Sequence, residues 1–310
     1  MTRMKTKFSR VQILDKLGKK IKDKEPIFVG NASAGMIAKN AEKNGADMIS
    51  VHSWGKFRYR GHPVPLSTLW WSGSNEMKDN VFDVAHEMTN ALDNVPLIGG
   101  LEAYDALFRH TDELLDKAID FGYDGIQNFP THGGYIPMRW LRDAAGFGFK
   151  REMEMIKLAS EKDIFSMAYT FWPDDAKEFA ENGADVIIAH AGWTTGGTTG
   201  APKPGSVDFD WDGEGFALQP KDVKGTIKVA NDIAAAARKV NPKQIVLIAG
   251  GSLNSPENAQ KIMDGSNVDG FEVGHAIDVM PIEKELIRIG KEYKSLELHP
   301  DNPNYRPSAL

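Results

Sequence analysis

Eight short apolar runs punctuate the chain, most of them closing on glycine or a polar residue and each followed by a stretch with helical spacing. They are Pro26–Gly30, Ala46–His52, Pro96–Glu102, Gly125–Pro130, Ile164–Trp172, Ala184–Gly192, Ile245–Gly251 and Val268–Gly274. Strands that alternate with helices build parallel sheets, and eight such units predict an α/β protein of one architecture, the (β/α)8 TIM barrel. The ends of the runs collect Asn31, His52, Glu102, Asn128, Tyr169, His190, Gly250, Gly251, Gly274 and His275. Residues of this kind belong at the C-terminal mouth, where such barrels carry their chemistry.

The 310 residues suit a single domain, since barrels of this size keep one core. Ahead of the first run, Val11, Leu14, Leu17 and Ile21 recur at helical spacing, so residues 1–25 are expected to form an N-terminal capping helix. Residues 26–295 then make the barrel, and the polar, proline-rich residues 296–310 make a C-terminal tail. Within the barrel, Thr111 is expected to cap a helix, and the aromatic stretches 53–74 and 131–148 read as long ordered loops. Lys43–Ser50 and Glu181–Ile188 echo each other, both carrying Asn-Gly-Ala-Asp between a helix stop and a strand.

A net charge of -6 without a basic stripe argues against a nucleic-acid partner. The absence of cysteine removes disulfides, thiolate nucleophiles and cysteine-ligated metals. No apolar run approaches the roughly 20 residues that span a bilayer, and no signal-peptide core follows the basic N-terminus. A cytoplasmic protein without membrane contact is the expectation. Exposed tryptophan and tyrosine around Trp70, Trp71, Tyr135 and Trp140 point to a homo-oligomer interface.

The chemistry-bearing residues gather at the run ends. After the sixth run, Thr194, Thr195, Gly196 and Gly197 combine backbone N–H groups with hydroxyls, which suits a carboxylate or phosphate. Gly250, Gly251 and Gly274, with His275, occupy the corner after strands 7 and 8 where barrels often hold anions. His52, His190 and His275 end strands 2, 6 and 8; three imidazoles suit a zinc ion, although no close ligand spacing supports it. His190 is the first choice for proton transfer. Glu102 and Asp105 offer carboxylates for Mg²⁺, Glu102 alternatively a base or an ion-pair partner. Gln127 and Asn128 would orient a polar ligand, and Arg58 would clamp a carboxylate.

Gly125-Ile-Gln-Asn-Phe-Pro-Thr131 and Ala189-His-Ala-Gly-Trp-Thr-Thr-Gly-Gly197 resemble segments of the phosphoenolpyruvate hydrolase-like family of TIM barrels. The likeness runs from Ile13–Gly35 through Ala46–Arg58 and Glu152–Ala159 to Ile248–Gly251 and Pro256–Ala259. It implies a shared mouth formed by Gly30, Gly35, Ser53, Arg58, Asp105, Gln127, Asn128, His190, Thr194 to Gly197, Gly250 and Gly251. The resemblance points to a hydrolase or lyase that cleaves a small anionic 2-oxo acid or enol phosphate. His190, Glu102 and Asn128 would be its catalytic group, with Mg²⁺ as cofactor. The rival reading is a non-catalytic ligand-sensing barrel.

Overall fold

The structure is a computed structural model. It describes residues 8–63, 81–105, 107–134, 136–201, 217–218, 221–297, 301, 303 and 304. The chain opens with α1 (Arg10–Lys22), β1 (Ile27–Asn31), α2 (Gly35–Lys43), β2 (Met48–Val51), α3 (Ser53–Tyr59), α4 (Asp83–Ala91) and β3 (Leu97–Gly100). Then come α5 (Thr111–Asp120), β4 (Gly125–Gln127), α6 (Ile136–Ala144), α7 (Phe149–Glu161), β5 (Phe165–Thr170), α8 (Pro173–Glu181) and β6 (Val186–His190). It ends with α9 (Val223–Val240), β7 (Ile245–Ala249), α10 (Pro256–Gly265), β8 (Gly270–Val273), α11 (His275–Asp278) and α12 (Met280–Lys294). The strands pair in chain order and close, β1 against β8 in parallel from Ile27↔Gly270 to Gly30↔Val273. This is the (β/α)8 barrel that the eightfold pattern predicts.

Two apolar clusters follow from closure. One fills the bore with Val29, Met48, Ile98, Met167, Ile188 and Leu247; the other packs the outer faces of the strands against the helices. Strands buried on both faces read as continuous apolar runs, which is why they stand out in the sequence.

Helix α1 seals the lower end. Its buried Ile13 and Leu17 pack with Ile27, Phe165, Val186 and Ile245, all at the N-terminal ends of strands. A capping box starts it: Gln12 N–H donates to Ser9 Oγ, and Ser9 N–H donates to Gln12 Oε1. Ser9→Ala is expected to lower stability by about 1 kcal/mol, read as a shift in the denaturation midpoint. No measurable change would show that the tertiary contacts of α1 suffice.

The Asn-Gly-Ala-Asp echo has a structural explanation. Asp47 and Asp185 accept the N–H groups of Phe28 and Ser166, at the start of the preceding strands. Asp124 and Asp269 do the same for Leu97 and Val246. One aspartate ahead of every even strand thus satisfies a backbone donor that the parallel ladder leaves over. The same carboxylates fasten the seal, through Arg10 to Asp185 at 2.9 Å, Phe8 N–H to Asp124 at 2.9 Å and Lys20 to Asp47 at 3.5 Å.

Three sequence expectations change. Residues 53–59 and 136–144 are helical rather than looped, and His110 rather than Thr111 is the N-cap of α5, with no side-chain cap bond. Thr111 is instead buried in the first turn. Trp140 is 72% exposed, whereas Trp70, Trp71 and Tyr135 lie outside the described residues, as does most of the tail after 297. Among the described residues no helix is long and apolar enough to cross a membrane.

Candidate active site

Above the apolar filling, the bore turns polar. Ser50 from β2, Gln127 from β4, Tyr169 from β5 and Glu272 from β8 are all buried there, with Asn31 beside them at the end of β1. Ser50 Oγ donates to Glu272 Oε1 at 2.6 Å, and Asn31 Nδ2 donates to the Ser50 carbonyl at 3.1 Å. Tyr169 and Gln127 stand near enough to favour the ionised carboxyl, yet Oε2 has no protein partner at hydrogen-bond distance. Glu272 is only 2% exposed, and burial outweighs these groups, pushing its carboxyl up to about 7. A carboxyl held there exchanges a proton at neutral pH.

The cavity over this floor has a volume of about 40 Å³. That exceeds the roughly 10–15 Å³ a single water needs and suits a ligand of a few heavy atoms. Its aromatic wall turns on Phe129, whose ring centroid lies 4.3 Å from Tyr169, 4.6 Å from Trp54, 4.7 Å from His52 and 5.6 Å from His190.

All three strand-end histidines line the cavity, as the sequence predicts. They are neutral. Burial, with a contribution from Lys221, lowers His190 to about 3, and burial followed by Arg58 lowers both His52 and His275. Gly192 N–H donates to His190 Nδ1 at 3.1 Å, so the ring proton of neutral His190 resides on Nε2. A neutral ring with its proton on Nε2 is a ready donor to an oxyanion.

Arg58, on α3, also lines the cavity and is 5% exposed. Its Nη2 donates to Asp278 Oδ2 at 2.9 Å and to Asn31 Oδ1 at 3.1 Å, while Nε has no partner. Asp278 is held in turn by Ser33 N–H at 3.1 Å and Ser33 Oγ at 2.6 Å.

Of the other expected residues, Thr194, Gly250 and Gly274 line the cavity, but Gly30, Ser53, Gln127, Asn128, Thr195, Gly196, Gly197 and Gly251 do not. Gln127 lies in the floor. Asn128 extends the three-residue strand β4: its Oδ1 accepts from Tyr169 N–H at 2.6 Å, and its Nδ2 donates to the Tyr169 carbonyl and to Glu152. Its amide therefore holds β4 to β5 rather than a ligand. Gly196 and Thr195 are tied back, Gly196 O to His275 Nε2 at 2.8 Å and Thr195 to Asn254. Gly250, at φ 75°, is one position where a side chain is excluded, since a Cβ would lie 2.1 Å from Gly192 O.

The expected Mg²⁺ ligands are placed elsewhere. Glu102 and Asp105 are not among the lining residues; Ser53 Oγ donates to Glu102 Oε1 at 2.6 Å, and Leu107 N–H to Asp105 Oδ1 at 2.8 Å. Among the described residues no three His, Asp or Glu side chains converge as metal ligands. Among the described residues Glu272 is the one carboxylate that lines the cavity, and one of its oxygens accepts from Ser50. The described lining thus offers a hard divalent cation a single carboxylate and no cluster of ligands. Glu272 is absent from the residues expected from the sequence; the signal that marks it is a lone charge within the eighth strand, where alternation turns one side chain in two toward the bore.

Residues 12–296 match the model of the family described as phosphoenolpyruvate hydrolase-like. The ToMV susceptible protein tm-1(GCR26) of Solanum lycopersicum is 31% identical over 93% of the chain. This chain spans 36% of that relative's length. Among solved structures, phosphoenolpyruvate phosphomutase from Streptomyces platensis subsp. rosaceus superposes with a TM-score of 0.55 at 12% identity, covering 91% of this chain and 86% of that one. A phosphonopyruvate hydrolase in complex with oxalate and Mg²⁺ gives 0.51 at 15% identity, covering 91% and 88%. At such identities the likeness is one of fold.

Proposed function

The chain belongs to the phosphoenolpyruvate hydrolase-like family, and from that premise we propose that it is a hydrolase or lyase cleaving a small anionic 2-oxo acid or its enol phosphate. The observation that carries the proposal is the pairing, in one cavity of about 40 Å³, of the buried Glu272 carboxyl with the neutral N–H of His190 and the Arg58 guanidinium. The volume favours an acid of a few carbons over a sugar phosphate or nucleotide.

In the hydrolytic form, the Glu272 carboxylate takes a proton from water while the hydroxide adds to the group leaving C3. The broken bond's electron pair becomes the enolate of the 2-oxo acid. His190 Nε2–H and Arg58 meet the developing charge on O2, the kind of preorganised stabilisation that is worth several kcal/mol. Protonated Glu272 then returns its proton to C3, leaving a keto acid and an ionised Glu272. One water is consumed, and no step passes through a metal. The phosphonopyruvate hydrolase whose fold is similar acts, as its name says, on an acid of this class, which supports the reading by analogy of fold.

The test is a thermal-shift screen of phosphoenolpyruvate, phosphonopyruvate, oxaloacetate and pyruvate, with and without Mg²⁺, followed by product detection. A ligand that binds only the folded state raises the melting temperature by mass action. The expected result is a shift with at least one of these acids that does not depend on Mg²⁺, together with turnover. A shift without turnover would make this a sensing barrel, and no shift at all would remove the small-acid reading.

A further inference from the structure

Two histidines in the mouth are locked in opposite tautomers. His275 Nε2 lies 2.8 Å from the Gly196 carbonyl, which only accepts, so Nε2 carries the ring proton. Burial keeps the ring neutral, so Nδ1 is a bare acceptor, and it is buried without a protein partner. His190 is the reverse, with Nδ1 occupied by the Gly192 N–H and the proton on Nε2. Both rings line the same cavity.

Among the other lining groups without a partner, Arg58 Nε, Trp54 Nε1 and His190 Nε2 are donors. His52 Nδ1 and Glu272 Oε2 donate or accept according to where their proton sits, whereas His275 Nδ1 is fixed as an acceptor by the bond at Nε2. A 2-oxo acid presents acceptors only. Its carboxylate and carbonyl oxygens match the three donors but leave His275 Nδ1 without a proton to receive. Replacing the carbonyl by a hydroxyl keeps the acceptors and adds one donor. A buried group that loses its partner carries the full desolvation penalty, which is why sites built around a hydroxyl discriminate strongly against ligands without one.

We infer that the mouth holds a small 2-hydroxy acid more tightly than the 2-oxo acid of the same carbon skeleton, with the C2 hydroxyl donating to His275 Nδ1. This rests on the small-acid reading of the site and sets its specificity. If the 2-oxo acid is the compound cleaved, the hydroxy acid is its competitive inhibitor.

Matched pairs decide it. Lactate against pyruvate, and 2-hydroxybutyrate against 2-oxobutyrate, are titrated calorimetrically into the wild-type chain at neutral pH. The hydroxy acid of each pair is expected to bind about tenfold more tightly or better. In His275→Phe, which has no ring nitrogen, the two members of a pair are expected to agree within about threefold; should that variant not fold, the wild-type ratio still gives the answer. Equal or tighter binding of the 2-oxo acids overturns the inference and leaves the small-acid reading standing. A wild-type preference that survives in folded His275→Phe also overturns it. Binding of neither class overturns both.

Discussion

Glu272→Gln is expected to reduce turnover of the substrate found by screening by about 10²- to 10⁴-fold, the contribution usual for a positioned acid–base group. Glutamine keeps the volume and an oxygen for Ser50 but does not exchange a proton in this range. Because the scheme begins with the carboxylate, kcat/KM of the wild type should rise with pH through about 7. The variant should lose that rise. Turnover within threefold of wild type would remove Glu272 from the chemistry.

The same substitution has a readout that needs no substrate. The folded-state pKa of Glu272 is raised from the usual 4.5 to about 7, so between these values the folded chain binds more protons than the unfolded chain. The stabilisation is complete below the unfolded value and is lost as pH rises through the folded one. A shift of that size corresponds to about 3 kcal/mol over the interval. Glu272→Gln lacks this loss, so its melting temperature relative to wild type should climb between about pH 5 and about pH 8. Glu152, pushed up to about 8 chiefly by burial, adds the same trend to both proteins and drops out of the difference. A flat difference would mean that Glu272 titrates as it does in the unfolded chain.

The barrel was legible because its cause is local and repeated: a strand covered on both faces is an apolar run, and eight of them with helices between close in one way. The mouth was half legible. His52, His190, His275, Thr194, Gly250 and Gly274 sit at or just beyond run ends, and Arg58 on α3 joins them in lining one cavity. What the sequence did not disclose was the direction of each polar group. Asn128 and Glu102 stand at strand ends like the histidines, yet Asn128 bonds to the backbone of β5 and Glu102 to Ser53, and only tertiary contacts decide that. Glu272 escaped notice for the opposite reason. A single acid in Gly-Phe-Glu-Val looks like an interruption of a strand until closure puts it in the bore, under Ser50. Helix α3 hid within an aromatic loop because its buried face includes Arg58, a residue that hydrophobic periodicity counts as exposed.

That arginine sets the second large effect. Asp278 is 0% exposed and joins three segments, accepting from Ser33 after β1, from Arg58 on α3 and lying itself on α11. Removing one partner of a buried ion pair leaves the other charge without compensation, at a cost of about 3–5 kcal/mol. Asp278→Ala is therefore expected to lower the unfolding free energy by that amount, measured as a lower denaturant midpoint at unchanged slope. Asp278→Asn should cost less, since the amide oxygen still accepts from Ser33 or Arg58. The pair as such is a weaker source of stability than either single variant implies, because both charges lose their hydration on folding. The double variant Arg58→Met with Asp278→Leu should accordingly recover most of the loss, giving a strongly non-additive cycle. It should also bind no small acid, as the guanidinium is gone from the cavity. A cost under about 1 kcal/mol for Asp278→Ala would place this pair among solvent-screened bridges, and Arg58 would then be held in the mouth by the packing of α3 alone.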